Sequence, residues 1–137
     1  MRGITIRNFK ASDLQSVDPD NPLVCRENLE SYQSIFTVEH NGTPVVCAGL
    51  IPLWPGVAEA WTAPSGWAKE HPLWLVRLLK RFLPQEAKRL NLHRVQMHLK
   101  DDPARLKWGR TLGFQHEGTF QKFTSEGHTL HLLAYLP

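Results

Sequence analysis

A chain of 137 residues, 42% of them apolar and 21% charged, is long enough for one hydrophobic core and too apolar for a disordered tail. Its net charge of +3 admits an acidic partner, but basic and acidic groups are interspersed, so no nucleic-acid footprint stands out. Cys25 and Cys47 are far apart and form no CxxC pair. The longest apolar run, 45–51, cannot span a bilayer, and Met1-Arg2-Gly3-Ile4 opens no signal-peptide core. The expectation is a cytoplasmic protein with inert thiols and no membrane segment.

In chain order, Ile4-Thr5-Ile6-Arg7 alternates like a first strand, and Ser12 or Asp13 can cap a short helical turn. Residues 23–32 carry a brief helical pattern with Leu29 and Tyr32 on one face. Residues 34–39 and 44–50 flank His40-Asn41-Gly42-Thr43 and predict an antiparallel hairpin, because Asn-Gly supplies the positive φ angles of a tight turn. Pro52 and Pro55-Gly56 should close the second strand. Residues 57–62 alternate as the next strand, and Ala63-Pro64-Ser65-Gly66 reads as a turn.

From Pro72 the positions Leu75, Leu79, Phe82 and Leu83 recur at helical spacing, with Arg77, Lys80 and Arg81 largely off that stripe. Pro84 predicts a kink or two stacked helices within 72–90. Asn91 ends the helix, and 94–99 reads as a strand parallel to 57–62, which completes a βαβ crossover. Asp102 as cap, Pro103 at the first helical position and Gly113 past the end define a further helix. Residues 114–120 and 129–135 then form two strands joined through Ser125-Glu126-Gly127. No repeat or linker interrupts the chain, so one α+β domain over 1–137, with a mixed sheet, is expected.

Chemistry-bearing patterns are few. Seven histidines form no HExxH or Cys/His set, and His128 and His131 would face opposite sides of a strand, so no metal site is expected. Trp54, Trp61, Trp67, Trp74 and Trp108 read first as packing groups, with an acyl pocket or a partner surface as the alternative.

The order of elements, together with Asp102-Pro103-Ala104-Arg105-Leu106-Lys107-Trp108-Gly109-Arg110-Thr111-Leu112-Gly113-Phe114, resembles the GNAT family of acyl-CoA-dependent N-acetyltransferases. In particular, the chain looks like the small, diverged GNAT-like proteins of tailed phages, including the internal-virion-protein A type. The resemblance implies a GNAT-like mixed, mainly antiparallel sheet flanked by helices, with a central parallel βαβ unit. It also implies that strand 57–62 splays from strand 94–99 to admit pantetheine against the backbone of Trp61, Thr62 and Ala63. Glu59 would be the base that deprotonates an amine, the alternative being an outward strand carboxylate. Asp102 would contact the cofactor, the alternative being its role as helix cap.

Two departures matter. The family favours a Gln/Arg-x-x-Gly-x-Gly/Ala loop whose backbone N–H groups meet the pyrophosphate, whereas this chain reads Lys69-Glu70-His71-Pro72-Leu73-Trp74-Leu75. Losing two charge-assisted hydrogen bonds costs about 3 to 6 kcal/mol, on the order of a hundredfold to ten-thousandfold in affinity. Lys69, His71, Arg77 and Arg81 are candidate side-chain replacements, or simply a solvated basic face. The Tyr that protonates the departing thiolate, four residues before the Gly of Leu-Gly-Phe, is here Gly109. The expectation is therefore a catalytically degenerate GNAT-fold protein acting in phage assembly, or on a phage or host protein, in the host cytoplasm or the virion. The alternative is acetyl transfer from acetyl-CoA to a primary amine. Homo-oligomerisation is left open.

Overall fold

The computed structural model describes residues 3–19 and 34–137, so the helix expected at 23–32 lies outside the described residues. Among the described residues seven strands, β1 (Ile4–Asn8), β2 (Ile35–His40), β3 (Thr43–Trp54), β4 (Val57–Pro64), β5 (Arg94–Lys100), β6 (Gln115–Phe120) and β7 (Leu130–Tyr135), are hydrogen-bonded in the order β1-β2-β3-β4-β5-β7-β6. The helices among the same residues are α1 (Ala11–Val17), α2 (Gly66–Lys69), α3 (Pro72–Arg89) and α4 (Pro103–Thr111). This is a mixed α+β, GNAT-like arrangement, mostly antiparallel with β4 and β5 as the parallel pair.

The hairpin, the parallel pair and the Asp102–Gly113 helix form as the residues predict. Asn41 and Gly42 take φ of 51° and 82° at the β2–β3 turn. Asp102 accepts from the Ala104 amide at 3.1 Å, and Gly113 has φ of 99°. Four local expectations need correction. Lys10, not Ser12 or Asp13, is the N-cap of α1; Asp13 stands at the third helical position, from which its carboxylate reaches back to the Lys10 amide at 2.8 Å. Pro52 does not close β3, which continues through an exposed end to Trp54, where a missing N–H is tolerated. β4 runs on past Thr62 to Pro64 because the Ser65 amide still donates to Val45 O, at 2.8 Å. Two stacked helices do not form at Pro84: α3 is one helix across it, with Leu75, Leu79, Leu83 and Ala87 buried at four-residue spacing on both sides, and that continuous stripe outweighs one lost backbone bond. In addition, His128 precedes β7, so His128 and His131 are not the two faces of one strand.

Contacts divide the chain into two compact units, Met1–Ile51 with Ala60–Leu75, and Pro52–Glu59 with Val76–Pro137. In the first, Phe9, Leu14, Val17, Ile35, Cys47, Ile51 and Ala63 pack together. Beside them lies a polar knot. Arg7 reaches both Asp13 oxygens, at 2.7 and 2.8 Å, and Glu39 at 3.0 Å, while the Thr37 hydroxyl donates to Asp13 at 2.8 Å. Burial pushes the Cys47 thiol up to about 11, which keeps it protonated and inert at neutral pH.

In the second unit β5 pairs with β7 from Val95↔Tyr135 to Lys100↔Leu130, and β6 adds to the far side of β7. Val95, Met97, Leu133 and Ala134 are buried there. A Cβ on Gly109 would come within 2.9 Å of Leu133 Cδ2 and Met97 Cε and within 3.0 Å of Leu99 Cδ1. α4 therefore lies against the Met97/Leu99 face of β5 so closely that a larger residue at 109 would push against the ends of these three side chains.

Candidate functional site

Because side chains alternate along a strand, Arg94, Gln96 and His98 occupy the face of β5 opposite Met97 and Leu99. The parallel register sets Val57 against Arg94, Ala58 against Val95 and Glu59 against Gln96, and ends there while β4 continues to Pro64 and β5 to Lys100. Glu59 thus shares a face with His98, and its Oε1 lies 2.7 Å from His98 Nδ1. Both stay accessible, with side-chain exposures of 23% and 33%. The His98 ring lies nearly parallel to Phe123, with centroids 6.2 Å apart and 8° between planes; Phe120 stands at 6.2 Å on a tilt. Across small, buried Ala134, Arg94 forks onto both Glu117 oxygens at 2.6 and 3.1 Å and donates through Nε to Gln96 at 2.9 Å. The hydrogen bond to Glu117 raises the guanidinium pKa further, and the same bond holds the Glu117 carboxyl below its ordinary range.

That arrangement has defined chemistry. With Nδ1–H given to Glu59, His98 presents Nε2 as a proton acceptor, and the carboxylate stabilises the imidazolium once it forms. Glu59 is therefore one half of a pair with His98.

The other expected site residues have different surroundings. Trp61 and Ala63 alternate to the same side of β4, with Ala63 inside the apolar cluster of the first unit and Trp61 half-buried against it, edge-on to Phe9 at 6.4 Å and 88°. Trp61 Nε1 is buried with no hydrogen-bond partner among the described residues. The Trp61 side chain is thus a packing group, and only the backbone of Trp61, Thr62 and Ala63 is a candidate for amide pairing. Asp102 caps α4 and lies 3.6 Å from Arg105, beside a polar depression that Lys100, Asp101 and His128 also line.

The stretch facing pyrophosphate in the family is here a closed turn. Ser65 Oγ accepts from the Ala68 amide at 3.3 Å, the Lys69, Glu70 and His71 amides donate to Ser65, Gly66 and Ala68 carbonyls at 3.0 to 3.1 Å, and Pro72 has no N–H. Trp67 fills the same turn, stacked between His40 at 4.5 Å and His71 at 4.2 Å, with Trp74 edge-on at 5.0 Å. His71 Nδ1 lies 2.7 Å from Trp67 O, while Lys69, Arg77 and Arg81 remain exposed. Within this turn the Ala68, Lys69, Glu70 and His71 amides are therefore already used and are not free to meet a pyrophosphate. Among the described residues no group of three or more His, Cys, Asp or Glu side chains is placed to hold a metal ion, and no helix is long and apolar enough to cross a membrane.

The sequence reading missed His98, Phe120 and Phe123. A signal existed: with both strands identified and parallel, a register of Glu59 against Gln96 places His98 on the face of Glu59. Without that register, the two residues are 39 positions apart.

No protein-family model matches the sequence, and no curated protein is significantly similar to it. Solved structures do match in shape. A variant of a spermidine N-acetyltransferase from Vibrio cholerae is 17% identical with a TM-score of 0.79, covering 99% of this chain and 95% of its own. A GNAT family acetyltransferase from Elizabethkingia anophelis with acetyl-CoA bound is 16% identical with a TM-score of 0.78 over the full length of both chains. Ard1 from Thermoplasma volcanium is 14% identical with a TM-score of 0.77, covering 98% of this chain and 97% of its own. At these identities the likeness establishes the GNAT-like fold.

Proposed function

We propose that this chain is a GNAT-fold protein that has lost acyl transfer and works by binding a protein partner, in phage assembly or on a host protein. The observation that carries the reading is the α2 turn, in which the amides of Ala68, Lys69, Glu70 and His71 are bonded internally and Pro72 offers none. Gly109 adds to it, since the position of the family's Tyr acid is walled in by Leu133, Met97 and Leu99. The phage setting rests on the resemblance of the sequence to small GNAT-like phage proteins. Thermal unfolding with millimolar acetyl-CoA and CoA tests the reading: no shift is expected. A ligand at a hundred times its Kd would stabilise by about 2.7 kcal/mol, several degrees for this size, and such a shift overturns the loss of cofactor binding. Capture of a defined partner from purified particles or infected cells is the positive arm, and its consistent failure removes the assembly role.

The Glu59–His98 pair favours a second reading, an N-acetyltransferase acting on a primary amine. A structural neighbour is named for spermidine, which is an amine of this class. In that reading His98 Nε2 takes the ammonium proton, Glu59 holds the resulting imidazolium, and Phe120 and Phe123 flank the acceptor. Amine-dependent CoA release that drops with Glu59→Gln would establish it in place of the first.

A further inference from the structure

On the sheet face opposite Glu59 and His98, β6 and β7 bring three donor atoms together. His131 is 9% exposed, and its Nε2 lies 2.8 Å from Asp101 Oδ1. Its Nδ1 lies 2.9 Å from His116 Nε2 and 3.2 Å from Thr119 Oγ1, and that hydroxyl is 3.3 Å from His116 Nε2. In a regular strand His116 and Thr119, three apart, would face opposite sides. The register shift between His116 and Gly118 inserts one residue, Glu117, and so turns both toward His131. Because the Asp101 carboxylate only accepts, His131 carries its proton on Nε2 and leaves the Nδ1 lone pair directed at the other two groups.

We propose that His116 Nε2, His131 Nδ1 and Thr119 Oγ1 bind a divalent late first-row transition-metal ion, with solvent completing its coordination and Asp101 orienting His131. The three mutual distances match the edge of roughly 3 Å between ligands that each stand about 2 Å from one ion. A carboxylate behind a ligating imidazole is the usual device for fixing its tautomer and raising its basicity. Without metal, His116 Nε2–H donates to His131 Nδ1. On binding, that proton passes to His116 Nδ1 by way of solvent, both imidazoles stay neutral, and the ion takes over the two ring lone pairs from a position beside the line between the nitrogens, about 2 Å from each. His116 and Thr119 are exposed, so the ion enters from solvent and ties edge strand β6 to β7.

Isothermal titration of the full chain with Zn2+ tests this. One ion per chain is expected, with the affinity reduced about tenfold or more in His116→Asn and about tenfold in Asp101→Asn. Both positions are exposed, so these variants should melt like the parent in chelator, whereas a change at buried His131 risks the fold itself. His128→Asn should titrate as the parent does. Absence of saturable one-to-one binding overturns the site, as does parent-like affinity in His116→Asn, or loss of binding in His128→Asn.

Discussion

Asp13 in the first unit and Glu59 in the second are carboxylates with a nitrogen at 2.7 Å, yet their surroundings give them opposite capacities. Asp13 is 5% exposed and accepts from both Arg7 terminal nitrogens, the Lys10 amide and the Thr37 hydroxyl. Burial alone would raise its pKa, but those hydrogen bonds outweigh it and hold the carboxyl below its ordinary range. Glu59 shares one bond with an imidazole that water still reaches. A carboxylate whose lone pairs are all engaged holds a fold; one with capacity left over can serve a proton-transfer step. Residue type does not separate the two, and the count of partners does.

The largest effect that would sharpen this contrast is expected from Asp13→Ala. It removes the acceptor of the Lys10 amide and the Thr37 hydroxyl and leaves Arg7 with Glu39 as its remaining carboxylate, and urea unfolding should show a loss of about 3 kcal/mol, at the low end for a broken buried pair because Arg7 still touches water and Glu39. Its pH dependence has a fixed sign. The folded pKa is depressed, so the contribution of Asp13 is complete above about pH 4 and is lost as pH falls through the lower folded value, a slope that Asp13→Asn should flatten.

A smaller effect is expected at Gly109. An added methyl meets three side-chain ends, with overpacking costing about 1 to 3 kcal/mol against about 1 kcal/mol of helix propensity gained, so Gly109→Ala should be destabilised by about 1 kcal/mol. An unchanged or raised Tm would mean that room exists for a larger side chain at the position of the family's Tyr. The smallest stability effect belongs to Glu59→Gln, under about 1 kcal/mol for a half-exposed pair. A loss matching that of Asp13→Ala would erase the distinction between the two carboxylates and make Glu59 structural.

Much of the fold was legible because its signals are local. Asn41-Gly42, Asp102-Pro103 and Gly113 each impose a backbone geometry on the residues beside them, whatever the rest of the chain does. The errors arose where a distant partner outvoted a local signal: Pro84 stays inside α3 because the buried stripe spans it, and β4 passes Thr62 because Val45 still accepts a hydrogen bond. Of the candidate site, Glu59 was visible from its strand, whereas His98, Phe120 and Phe123 required the register of the sheet.

The amino-acid sequence by itself determined the β2–β3 turn, the succession from β4 through α3 to β5, the α4 cap and the two departures from the GNAT pattern at 69–75 and at Gly109, because each depends on neighbours within a few positions. Only the tertiary structure decided that Glu59 is paired with His98, that the amides of Ala68, Lys69, Glu70 and His71 are already used, and that a bulge at Glu117 aligns His116 with Thr119. Those facts depend on which strands lie side by side and in what register, and a shift of one residue would send every side chain concerned to the other face.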